Sequence, residues 1–194
     1  MTRGTDEQVL ALRAAVLALR APQAAKRAPA PTSSVYGRAA AAVPDDVRNA
    51  TSRQLLEARF RTVETTALMT GTTMVLAVLP DPGPPAPALA RSLDLLAAGG
   101  CTVVVLGTDV PRSVQRDRPL TLPLRAGDAL AHEWALLACG PAKRVAVLAR
   151  RAAPDTWDWL VTRDQVAVQR AGTAILDRVP FLGLRVPFLQ DALG

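Results

Sequence analysis

Few residues in this chain have both the type and the spacing for chemistry. His132 is the lone histidine, so a general base for a Ser or Cys nucleophile has one candidate, and no G-x-S-x-G elbow accompanies it. Glu133 follows it, but no second His lies four residues on, so the metalloprotease pattern fails. Asp81, Asp109 and Asp164 each fall shortly after an expected strand. Gathered at strand ends they could hold a divalent cation, although Asp is also the ordinary turn and N-cap residue. No catalytic residue and no metal set is assigned. Gly140-Pro141-Ala142-Lys143-Arg144 opens an expected helix after a strand. It has one Gly and lacks the P-loop pattern, so Lys143 and Arg144 either attract an anion or stand as solvated bases in a first helical turn. Trp157, Trp159 and Val161 share one face of a strand if alternation holds. Two indoles on one face either stack a planar ligand or anchor an otherwise aliphatic core.

The elements that must position these residues follow from apolar patterning. Apolar residues make up 49% of the 194, with only 4% aromatic, so packing rests on Ala, Leu and Val. Ser52 to Met69 reads as a helix with Leu56, Phe60, Val63 and Ala67 inward and Arg53, Glu57 and Arg61 on a solvated face. Thr73–Leu79 is a continuous β-rich run, as expected of a central strand. A helix over 86–98 ends at Gly99-Gly100, and Cys101–Leu106 is a second buried strand, parallel to the first. Leu120, Leu122 and Leu124 alternate with polar residues around Pro123, which points to an edge strand. From Glu133 to Pro180 the chain reads strand, Gly-Pro turn, basic helix over 142–152, Trp-bearing strand over 157–162, and a last helix from Asp164 to Val179. The expected fold class is α/β: a single mixed, mostly parallel sheet of about five strands with flanking helices, plus a flexible N-terminal arm carrying one helix.

The chain divides into three parts. Residues 1–46 are an arm and a Pro/Ala-rich linker, 47–180 the α/β domain, and 181–194 an apolar tail. In the arm, Val9, Leu12, Val16 and Leu19 form one apolar seam on a helix of about four turns, too short to stand alone. The tail repeats Val179-Pro180-Phe181-Leu182 as Val186-Pro187-Phe188-Leu189. Phe181 and Phe188 either cover part of the core or dock on a partner.

Net charge is +6 and uneven: between Gln8 and Pro44 stand Arg13, Arg20, Lys26, Arg27 and Arg38 with no acid. A basic arm of this kind suits a DNA-associated regulator, the alternative to a solvated leader, but it lacks dense Lys/Arg runs and aromatics, so nucleic acid is not the expected partner. Cys101 and Cys139 close apolar strands, where thiols act as small hydrophobes. No apolar run reaches the roughly 20 residues of a membrane span, and the start lacks a signal-peptide core, so the expectation is a cytoplasmic protein without cofactor or membrane.

The order Glu133-Trp134, apolar strand, Gly140-Pro141, helix ending Leu148-Ala149-Arg150, strand into Thr162-Arg163-Asp164 and closing helix to Arg178-Val179 resembles the DICT sensory domain. That bacterial family is associated with diguanylate cyclases and two-component systems. The upstream helix beginning Ser52-Arg53 and carrying Glu57 is similar too, so the resemblance covers roughly 51–179. It implies a signal-sensing or transmitting module rather than an enzyme. It also adds Trp134, Arg163 and Asp164 to Lys143, Arg144, Trp157 and Trp159 as candidate lining of a ligand or signal pocket. With no output domain attached, the signal would leave through another protein or a homodimer, with the arm seam and the tail as contact elements. A small-molecule-binding α/β enzyme is the remaining alternative.

Overall fold

The computed structural model describes residues 33–179 apart from 70, 80–86, 116, 126, 141–142 and 155. Within them, β2 (Met74–Leu79) and β3 (Thr102–Gly107) pair in parallel across α3 (Pro87–Ala98). All six residues of β2 are buried. Met74, Leu76 and Val78 face one apolar layer, and Val75, Ala77 and Leu79 the other, so both faces of the strand are covered. Gly100 ends α3 with φ 89°, a left-handed position that suits a residue without Cβ. β4 (Leu120–Pro123) adds to β3 in parallel at the outer edge, where the missing N–H of Pro123 costs no ladder bond.

The sheet is mixed, with seven strands in the order β1 (Arg48–Ser52), β7 (Thr156–Thr162), β6 (Arg144–Ala153), β5 (Glu133–Cys139), β2, β3, β4. It is not mostly parallel. β5, β6 and β7 form an antiparallel meander, β1 closes its edge antiparallel to β7, and β5 joins β2 antiparallel. The difference from expectation has one main cause. The segment expected as a basic helix over 142–152 is strand β6. Val145 to Ala149 are buried on both faces, alternating between the two apolar layers. An apolar run of that kind carries no periodicity to separate helix from strand, and two β-branched valines between two strands favour the sheet. A short loop returns the chain, with Gly140 N donating to Lys143 O at 2.9 Å.

Helices cover both faces. α2 (Arg53–Met69) and α3 lie on one, with Leu56, Phe60, Val63, Leu93 and Leu96 inward. α1 (Val35–Ala40) and α4 (Gln165–Leu176) lie on the other and pack together, contributing Val35, Tyr36, Ala39, Val168 and Ile175. α1 falls in the stretch that sequence alone assigns to the linker, yet three of its six residues are buried. It is held by a residue 98 positions away. The buried Glu133 carboxylate accepts from Val35 N at 2.8 Å and Tyr36 N at 3.0 Å, satisfying two of the helix's open N–H groups. A second long-range clamp joins the two ends of the described chain. Arg178 donates to Ser33 O and Ala174 O, both at 2.6 Å, and to Ser33 Oγ at 2.9 Å, and pairs with buried Asp128 at 3.2 Å. Among the described residues no helix is long and apolar enough to cross a membrane.

Candidate functional site

The site is best built from a row of residues that crosses the meander under α2. The register places Trp134 on β5 opposite Ala149 on β6, Ala149 opposite Trp159 on β7, and Trp159 opposite Arg48 on β1. Ala149 is fully buried, and its single methyl leaves room between two indoles. Trp134 meets Phe60 of α2 edge to face, with centroids 5.3 Å apart, and Trp157 at 5.5 Å. Such pairs fall within the favourable range for aromatic contacts. Trp157 is only 3% exposed and carries the Arg151 guanidinium over its ring at 5.4 Å. Trp157 is therefore a large anchor of an aliphatic core, and the partly buried Trp134 packs against it.

Trp159 differs. Half-buried like Trp134, it stands at the end of the row and lines a half-open cleft of about 260 Å³ with Asp46, Arg48, Arg59, Thr62, Val63 and Val161. Four elements meet here: the 3-10 turn Pro44–Asp46, β1, β7 and α2. Arg59 reaches from α2 to place its guanidinium over the Trp159 ring, 5.3 Å from the centroid, a cation–π distance. Arg48 is braced by its own loop, with Nη1 donating to Asp45 O at 2.8 Å and Val47 O at 3.0 Å. The Thr62 hydroxyl donates to Ala58 O at 3.2 Å, the usual back-bond of a helical Thr, which leaves its oxygen lone pairs as acceptors. Val63 is buried at the back, and Val161, at 37% exposure, forms part of the apolar wall. Two guanidinium groups and one carboxylate thus surround an indole and two valines.

The candidate residues fall into three places. Trp134 and Trp157 are in the core stack, and Trp159 is in the cleft. Lys143, Arg144, Arg163 and Asp164 lie at one end of the sheet, where β6 begins and β7 ends, since Ala146 pairs with Thr162. There Asp164 caps α4, its Oδ1 accepting from Ala167 N at 2.8 Å, and its own N–H donates to Thr162 Oγ1 at 3.1 Å. Val9, Leu12, Val16, Leu19, Phe181 and Phe188 lie outside the described residues. Asp81 does too, while Asp109 and Asp164 follow strands that run in opposite directions and so sit at opposite ends of the sheet. Among the described residues no group of three or more His, Cys, Asp or Glu could hold a metal ion.

Sequence reasoning missed Asp46, Arg48, Arg59 and Thr62. Arg48 belongs to a strand whose residues Arg48 to Ser52 are mostly polar, with no apolar alternation to mark them. Without β1, the row that leads from Trp134 to Arg48 is invisible. Arg59 is assigned to no face by the sequence pattern, although helical spacing sets it beside Val63 at the flank of the buried stripe.

The two thiols are free and buried on opposite layers, Cys139 in one and Cys101 in the other. Burial, with a smaller contribution from Cys139, pushes the Cys101 thiol up to about 12. Burial also pushes Cys139 up to about 11, with Arg144 pulling the other way. Neither is a nucleophile at neutral pH. Comparison of the chain with protein-family models, curated proteins and solved structures finds no match.

Proposed function

We propose that this chain is a non-catalytic cytoplasmic sensory or signal-transduction module, of the kind the DICT-like resemblance implies, acting through ligand- or partner-dependent protein contacts. The observation that carries this reading is the cleft at Trp159 and its continuity with the core. An occupant of the cleft would touch Arg59, Thr62 and Val63, all on α2. That helix also holds Phe60 against Trp134 in the centre of the meander. A change in the cleft thus reaches the packing of β5, β6 and β7 through one rigid element, which is what a sensor needs in order to alter a surface elsewhere. Lys143, Arg144, Arg163 and Asp164 at the sheet end remain proposed signal-pocket residues, and the segments bearing Val9, Leu12, Val16, Leu19, Phe181 and Phe188 are the proposed routes to a partner or second copy.

The test is native mass spectrometry of the full chain purified from its source, compared with Trp159→Ala. The expected result is an adduct, a homodimer or a partner complex in the wild type whose population falls in the variant. A bare monomer in both would refute the reading.

A further inference from the structure

We infer that the Trp159 cleft binds a small monoanionic carboxylate carrying an apolar or aromatic body. The inference deepens the proposed function and rests on the same cleft. The chemistry of the lining sets the class. Trp159, Val63 and Val161 offer an apolar wall that a ring or branched aliphatic group can cover. Arg48 and Arg59 supply planar donors suited to a carboxylate. Arg48 is already braced through Nη1, so Nη2 and Nε are the groups it offers. Arg59 is steered by the indole, and a cation–π contact leaves N–H donors over for an anion. Pre-positioning both arginines lowers the ordering cost that flexible side chains otherwise impose on binding.

Asp46 decides the ligand's charge. With two guanidinium groups and one carboxylate, the lining carries a formal charge of +1. A monoanion neutralises it, whereas a phosphate dianion would overcompensate beside Asp46. The volume, about 260 Å³, lies at the small end of ligand sites and suits a single ring with its acid group rather than a dinucleotide.

Nitrogen-15-labelled full-length protein gives three tryptophan indole resonances, one for each of Trp134, Trp157 and Trp159. Trp159→Phe identifies the third. The probes are benzoate, phenyl phosphate, benzyl alcohol and inorganic phosphate. Benzoate should shift the Trp159 resonance saturably at millimolar concentration, with benzyl alcohol and inorganic phosphate about tenfold weaker, because each loses one half of the recognition. Phenyl phosphate should be weaker than benzoate. Arg48→Gln and Arg59→Gln should each weaken benzoate about tenfold, the size of one charge-assisted hydrogen bond. Equal binding of benzyl alcohol, tighter binding of phenyl phosphate, no effect of either substitution, or no saturable shift by about 10 mM would overturn the inference. If benzoate binds as expected while oligomeric state and partner capture stay unchanged, the ligand class stands and the sensory reading fails.

Discussion

Arg178→Met tests the clamp that joins the two ends of the described fold. Arg178 and Asp128 are 4% and 1% exposed at their side chains, so the pair is shielded from water. Met fills much of the arginine's volume but supplies no donor. Asp128 would keep the bond from Leu130 N at 3.0 Å and lose both contacts to the guanidinium. Ser33 O and Ala174 O would each lose a donor at 2.6 Å. Removing one partner of a buried, hydrogen-bonded pair costs about 3–5 kcal/mol, because the other charge stays buried without compensation. For a domain of this size that corresponds to a fall in Tm of about 6–20 °C. Urea unfolding followed by tryptophan fluorescence measures the loss directly. The decisive comparison is the double variant Arg178→Met with Asp128→Asn. Asn keeps an oxygen for Leu130 N and removes the stranded charge, so it should restore at least about 1–2 kcal/mol of the single variant's deficit. A loss below about 1 kcal/mol for Arg178→Met, or a double variant no more stable than the single one, would refute the account of the clamp.

Other expectations follow from the same structure. Trp134→Ala should cost about 3–5 kcal/mol by urea unfolding, because it removes the ring that packs against both Phe60 and Trp157, while Trp159→Ala should cost clearly less, at under about 2 kcal/mol, because the neighbour over that ring is the exposed Arg59. Gly140→Ala should destabilise by about 1–3 kcal/mol in the same assay, since a Cβ there meets the Gly71 carbonyl oxygen at 2.9 Å and backbone cannot yield cheaply. Cys101 and Cys139 should resist a thiol-specific reagent in native buffer at pH 8 and react fully in denaturant. Because their folded values, about 12 and about 11, are raised above the ordinary 9.0, this contribution to stability is fully present below pH 9. It is lost as pH rises through 9 toward 11 and 12, where unfolded thiols ionise and folded ones do not. Replacing both with Ala should flatten that part of the unfolding profile.

The parallel half of the sheet was readable because its signals are local. β2 and β3 are unbroken apolar runs, α3 ends at a glycine pair, and Pro123 marks an edge. What could not be read depends on partners distant in sequence. β6 carries Ala, Leu and Arg, all good helix formers, and becomes a strand because β5 and β7 bond it on both sides. α1 is six residues long and owes its first turn to Glu133. Trp159 was legible as a half of a site, since its type and alternation are visible in the sequence. Its complement was not, because Arg48 and Arg59 join the cleft only once β1 and α2 are in place.

The three tryptophans show why residue type alone could not assign a site. All three lie on the meander, and Trp134 and Trp159 even share one cross-strand row through Ala149. Trp157 is buried, whereas Trp134 and Trp159 are both partly buried and differ in the neighbour each meets. Trp134 lies beneath Phe60, Trp157 beneath Arg151 and beside Trp134, and both are held in the layer under α2. Trp159 is one strand from the edge, where the sheet runs out and α2 contributes Arg59 and Thr62 beside the buried Val63. The same helix that packs Phe60 on Trp134 thus places, one residue earlier, the exposed Arg59 over the half-buried Trp159 ring. On the proposed reading, this juxtaposition is the route by which a ligand at Trp159 would be felt at Trp134.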